Sequence, residues 1–120
     1  MKGLPKTFDT SLFVGRTVDQ VSFSVNNVSL YFDADLILTV EGPFEHRPAI
    51  GDMATAVHQL PVSESKLMQL AGHHVTEARV EGDGGLSLVF EDGQSFRCIR
   101  GPEPYECFRI IQRGGIDVVA

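Results

Sequence analysis

The feature that most constrains this chain is a match to itself: one pattern of apolar and turn residues recurs at an offset of 57 to 59 residues. Gly15 and Val18 align with Gly72 and Val75, and Val21 and Phe23 with Ala78 and Val80. Val28, Leu30 and Phe32 then fall on Leu86, Leu88 and Phe90, Leu38 and Val40 on Phe96 and Cys98, and Gly42-Pro43 on Gly101-Pro102. Within each copy the apolar residues alternate with polar ones, the period of a strand with one buried face. Each copy therefore reads as a β-meander, and the chain as two copies of it.

Strand register follows from asking which loop length keeps the apolar set on one face, because a one-residue slip would turn it to solvent. In the first copy, Asn26-Asn27 suits a two-residue type I′ turn that pairs Val25 with Val28, Phe23 with Leu30 and Val21 with Phe32. A three-residue loop at Asp33-Ala34-Asp35 then pairs Phe32 with Leu36, Leu30 with Leu38 and Val28 with Val40. In the second copy the loops are Asp83-Gly84-Gly85 and Glu91-Asp92-Gly93. A tight Asp92-Gly93 turn would mix faces. A bulged loop with Gly93 at positive φ pairs Leu88 with Phe96 and Leu86 with Cys98.

Each copy runs past its Gly-Pro into a further apolar segment, residues 44 to 50 and 105 to 111, read as fourth strands. Between the copies, Leu67, Leu70 and Ala71 stand at helical spacing within Ser63 to Ala71, with Gly72 placed to end a short helix. Asp52 to Leu60 fits either helix or strand, and Ile116 to Val119 fits an edge strand. Two meanders with one apolar face each are expected to bury those faces against one another. The expected fold class is mainly β (α+β): two antiparallel meanders related by a pseudo-twofold axis, packed as a sandwich or partly open barrel with one short helix. All 120 residues form one domain in this reading, with repeats at about 12–50 and 69–111 and a helical linker at about 52–71.

Composition narrows the function. Ten basic against sixteen acidic residues give a net charge of −6, and no stretch clusters Lys or Arg, so nucleic acid is not an expected partner. No apolar run is long enough to span a bilayer, and the N-terminal residues show no apolar block or cleavage site, so a cytoplasmic protein without membrane contact is expected. Cys98 and Cys107 flank Gly101-Pro102-Glu103-Pro104, and a bridge between them would set Phe96 against Arg109. Burial argues for two reduced thiols instead.

No pair among His46, His58, His73 and His74 has zinc-motif spacing, and His73-His74 on a strand would point to opposite faces, so no metal site and no cofactor are expected. Gly82-Asp83-Gly84-Gly85 joins two strands and reads as a hairpin loop, not a phosphate cradle. No Gly-x-Ser-x-Gly elbow is present and no catalytic residue is assigned. The candidate binding residues are Phe44, Glu45 and His46 with Tyr105 and Glu106, because the repeat puts an aromatic-Glu step after each Gly-Pro. If the pseudo-twofold brings Glu45 and Glu106 together they form a carboxylate pair suited to acid-base work; strand alternation alone also yields solvent-facing Glu beside core aromatics.

Leu70-x-Gly72-x-x-Val75, Leu86-x-Leu88-x-Phe90-x-Asp92-Gly93 and Tyr105-Glu106 resemble a series found in small bacterial domains of uncharacterised function. Some such small acidic proteins look like immunity proteins that neutralise toxins. The resemblance covers about the last fifty residues and carries over no functional residue. Together these features point to a non-enzymatic protein-interaction domain, immunity-like in function by the resemblance, acting through an acidic face and exposed sheet edges on a protein partner or a second copy of itself. The alternative is a small-ligand binder or enzyme with its site where the repeats meet.

Overall fold

The computed structural model describes residues 4–24, 27–33, 35–47, 56–58, 67–99, 107–115 and 117–120. Among these residues, ten strands make two five-stranded antiparallel sheets that do not close into a barrel. In chain order they are β1 (Val18–Phe23), β2 (Val28–Phe32), β3 (Leu36–Val40), β4 (Phe44–Arg47), β5 (Ala56–His58), β6 (Val75–Val80), β7 (Leu86–Phe90), β8 (Ser95–Cys98), β9 (Phe108–Gln112) and β10 (Asp117–Val119). The first sheet runs β1-β2-β3-β9-β10 and the second β6-β7-β8-β4-β5.

Each sheet thus takes three strands from one half of the chain and two from the other. The alternation in residues 44 to 47 and 108 to 112 set their faces but not their neighbours. What directs them is the connection: the Glu41 and Gly42 amides both donate to the Cys107 carbonyl, at 2.8 and 2.9 Å, and the Pro43 carbonyl accepts from Ile99 N–H at 3.1 Å. The amides that would have closed a β3–β4 hairpin are spent on the other half. Because β8 and β9 lie in different sheets, Cys98 and Cys107 are not opposite one another: Cys98 stands beside Phe44, and Phe108 beside Val40. Both cysteines are free and buried, as burial argued.

The expected register holds at the β2–β3 and β7–β8 loops. Phe32 pairs with Leu36 and Val28 with Val40; Leu88 pairs with Phe96 and Leu86 with Cys98, with φ of +97° at Gly93. It fails at the first hairpin, where Val21 pairs with Leu30 and Phe23 with Val28. Ser24 N–H donates to the Asn27 carbonyl at 2.9 Å, so the turn is centred one residue earlier than Asn26-Asn27 and the register moves by two. A two-residue shift preserves the face. Its consequence is confined to Phe23, which is left 40% exposed at the sheet's end. The β6–β7 loop also sits one residue earlier, at Gly82-Asp83-Gly84, since Glu81 N–H donates to the Gly85 carbonyl at 2.8 Å.

A β-bulge not foreseen from the alternation interrupts both β1 and β6. Val18 pairs with Phe32 and Gln20 with Tyr31, leaving Asp19 extra; Val75 pairs with Phe90 and Glu77 with Val89, leaving Thr76 extra. The extra residue flips strand parity, so Val18 and Val21, three apart, both reach the core. No α-helix occurs among the described residues: the expected short helix is a single 3-10 turn, Leu67–Leu70, and a matching turn at Thr10–Phe13 precedes β1. Leu67 and Leu70 are buried at the three-residue spacing of that tighter turn, and Gly72 follows with φ of +87°. The ambiguous segment after Asp52 pairs as a strand at 56–58, and the tail pairs at 117–119. No described helix is long and apolar enough to cross a membrane.

The inner faces of both sheets share one core, in which Phe13 meets Phe32 edge-on at 5.6 Å and Phe44 stacks on Phe96 at 5.3 Å. The second pair joins strands from opposite halves. Each such buried ring contributes about 1.5–3 kcal/mol by burial, and the pairing about 0.5–1.5 kcal/mol more.

Candidate functional site

Strand β4 sends Phe44 and His46 into the core and Glu45 outward. Glu45 lies opposite Arg97 on β8, with Oε1 3.8 Å from the guanidinium Nε, on the outer face of the second sheet. The three candidate residues therefore do not line one pocket. Tyr105 and Glu106 lie outside the described residues, and so does the proposed Glu45–Glu106 pair. The sequence alignment behind that pair is corrected by the pairing: Phe44 faces Cys98 and Phe108 faces Val40, so Phe44-Glu45-His46 corresponds to Phe108-Arg109-Ile110. The connection before β9 is longer than that before β4, which shifted the apparent match.

His46 nevertheless belongs to the most unusual polar feature of the fold. Only 1% exposed, it points its Nε2 at Gln94 Oε1, 2.9 Å away, and Gln94 is itself 1% exposed. Gln94 Nε2 donates to the Gln69 carbonyl at 2.9 Å and to Asp92 Oδ2 at 2.7 Å. Both of those partners are pure acceptors, which orients the amide. Its oxygen faces His46, so that ring presents Nε2–H.

At the surface the chain of bonds continues. His73 has Nε2 3.4 Å from Asp92 Oδ2 and Nδ1 3.0 Å from Glu91 Oε1, and His74 Nδ1 is 3.6 Å from the same Glu91 oxygen. The expectation that His73 and His74 point apart fails because β6 begins only at Val75, so strand alternation does not yet govern them. Burial acts to raise the Glu91 carboxyl, but hydrogen bonds from His73 and the His74 amide, with the charge of both imidazoles, hold it below its ordinary value. Burial, with Cys107 nearby, pushes the Cys98 thiol well up, the opposite of an activated nucleophile.

The other half of the chain shows which part of this arrangement is peculiar. Arg16 stands where His73 does, and it pairs with Asp33 and Asp35 in the β2–β3 loop as His73 pairs with Glu91 and Asp92 in the β7–β8 loop. The inward positions matching Gln94 and His46 hold Leu36 and Ile110, both buried. A basic side chain held between loop carboxylates is thus common to the halves, and a buried amide and imidazole behind it belong to the second sheet alone. Sequence reasoning passed over Gln94. The signal was present: Gln94 is the polar residue in the inward series Gln94-x-Phe96-x-Cys98, aligned with Leu36.

The arrangement sets the His73 imidazole, just ahead of β6, against two carboxylates of the solvent-open β7–β8 loop that are braced from beneath by a buried amide. Comparison with known proteins adds a family whose function is unknown. No curated protein and no solved structure matches the chain. The model of one family, described as a family of unknown function (DUF6188), matches residues 9–120, and the chain belongs to that family.

Proposed function

We propose that this chain is a non-enzymatic protein-interaction domain that receives a protein partner on the outer face of its first sheet. The observation that carries the reading is a contrast between two faces of the same topology. On the first sheet, Tyr31, Ile37 and Ile111 lie side by side across β2, β3 and β9, each half-buried, with Ser29 and Thr39 in the next row. On the second sheet the matching row is Val89, Ser95 and Arg47, beside Ser87, Arg97 and Glu45. An outward row of Tyr and Ile on a solvated sheet departs from the polar-out alternation that the other sheet obeys.

The net charge of −6 favours a basic partner, and Arg16, Arg79, Arg97 and Arg109 are each paired with a carboxylate of the chain itself. A small acidic domain with one apolar face is what an immunity-like protein would need, in keeping with the sequence resemblance. Edge pairing is the weaker route: β5 and β10 are three residues long, while β1 and β6 carry bulges. The reading takes the two halves as copies of one unit, supported by the matched bulges and 3-10 turns.

The test is calorimetry between this protein and the purified product of an adjacent gene. Micromolar or tighter binding, lost in Ile37→Lys and Ile111→Lys and kept in Ser87→Lys on the opposite sheet, is the expected result. Absence of binding, or equal loss from both faces, overturns it. A dimer in sedimentation that Ile37→Lys dissolves would replace the foreign partner with a second copy of this chain.

A further inference from the structure

We propose that His73, Glu91 and Asp92 form a site for one divalent transition-metal ion of the zinc class, braced from the core by Gln94. One donor atom from each of the three lies within 4.8 Å of the others. Bonds of about 2.0–2.2 Å place donors on one ion roughly 3.4 Å apart in tetrahedral geometry. His73 Nε2 and Asp92 Oδ2 are 3.4 Å apart already, whereas Glu91 Oε1 lies 3.0 Å from the ring's other nitrogen, Nδ1, so Nε2 is the donor that can share an ion with Asp92. Glu91, whose side chain is 31% exposed, joins them by a rotamer change that carries a carboxylate oxygen from the Nδ1 side of the ring to the ion at Nε2, and water fills the open positions.

Two observations single out this cluster from an ordinary surface ion pair. The first is the exchange of Arg16 for His73 at matched positions before β1 and β6. Arg16 is a permanent cation between Asp33 and Asp35, and guanidinium has no lone pair to offer a metal. At His73 one carboxylate keeps its place, Glu91 standing where Asp33 does, and Asp92 supplies the second from one residue before the position of Asp35, while the fixed cation is replaced by a side chain that is itself a metal ligand.

The second lies behind the cluster. Gln94 and His46 are buried where Leu36 and Ile110 stand in the other sheet, and Gln94 is bonded to Asp92 at 2.7 Å. A buried polar pair costs stability unless its bonds are met, and here the bonds hold a carboxylate in place. Outer partners of this kind orient metal ligands and are worth about 10–100-fold in affinity. The side chains of His73, Glu91 and Asp92 remain 35%, 31% and 22% exposed, open enough for an ion to enter.

The experiment is titration of the full chain, stripped with chelator, with Zn²⁺ by calorimetry and with Co²⁺ by visible absorption. One ion per chain is expected, with d–d bands for Co²⁺. His73→Ala and Asp92→Asn, both surface changes, should weaken Zn²⁺ binding at least tenfold, and Gln94→Leu by about 10–100-fold where circular dichroism shows it folded. His58→Ala should leave binding unchanged. No saturable binding, or binding unaffected by His73→Ala and Asp92→Asn, overturns the assignment.

Discussion

Thr17 and His74 face one another in an antiparallel bridge, and each stands at the same place in its own half of the chain. The bonds around them are reciprocal. Gly15 N–H donates to the Val75 carbonyl at 2.7 Å and Gly72 N–H to the Val18 carbonyl at 2.8 Å; Val18 N–H donates to His73 and Val75 N–H to Arg16, both at 2.9 Å. Arg16 and His73 stand at the two ends of this joint, each beside carboxylates of the loop in its own half.

That joint depends on two glycines. Gly15 and Gly72 have φ of +86° and +87°, and an added Cβ at either would touch nothing within 4 Å. The cost of alanine there is backbone strain alone, about 1–2 kcal/mol at each site. Urea denaturation should show Gly15→Ala and Gly72→Ala equally destabilised, and the double variant losing close to the sum if the two ends strain independently.

The buried pair makes a sharper prediction. Gln94→Leu restores the residue found at Leu36 but removes the acceptor of His46 Nε2–H and a donor to Gln69, and should cost about 1–3 kcal/mol. Adding His46→Ile, which completes the Leu36–Ile110 combination, should recover part of the loss. A double-mutant cycle in denaturant checks it: purely additive effects would mean that the Gln94–His46 bond contributes nothing.

How far these relationships could be read in advance varied with the kind of constraint. The Glu91-Asp92-Gly93 loop was legible, because only one loop length keeps Leu86, Leu88, Phe96 and Cys98 on one face and a glycine stood where positive φ was needed. The exchange of β4 and β9 between sheets was not, since alternation in Phe44-Glu45-His46 says which side is buried and nothing about which strand lies alongside. His46 was singled out beside Glu45, yet its partner is Gln94, 48 residues away in sequence. Asp19 and Thr76 show a third case: Val18-x-x-Val21 and Val75-x-x-Ala78 carry the three-residue spacing of a bulge, a signal hidden when strands are assumed regular.

Acid should weaken the fold through named carboxylates. Glu91 is lowered from an ordinary value of 4.5 by His73 and His74, and Asp117 from 3.8 chiefly by its two-pronged hydrogen bond to Arg109. A carboxyl depressed in the folded state contributes stability above its unfolded value and loses it as pH falls through the folded one. The melting temperature of the native chain should hold down to the ordinary carboxylate range and then decline. Glu91→Gln and Asp117→Asn should each start lower at neutral pH and fall less steeply between 4.5 and more acid conditions. Curves that stay parallel to the native one would show that these pairs carry no pH-dependent stability.

Because each sheet is built from both halves, cutting the chain between β5 and β6 should not release two folded pieces. A fragment of residues 1–62 holds β1 to β5, and one of residues 63–120 holds β6 to β10. In either piece alone, the fourth and fifth strands lack the meander they pair with. Two copies of residues 1–62 have a way out, by trading β4 and β5 with each other, but His46 would then meet Leu36 in place of Gln94. Losing the amide acceptor costs about 1–3 kcal/mol for each His46, twice in such a dimer. Co-expressed fragments should therefore elute as a one-to-one complex in preference to homodimers. His46→Ile in the first fragment should tilt the mixture toward the homodimer, read by native mass spectrometry; a homodimer that dominates with His46 intact would refute the argument.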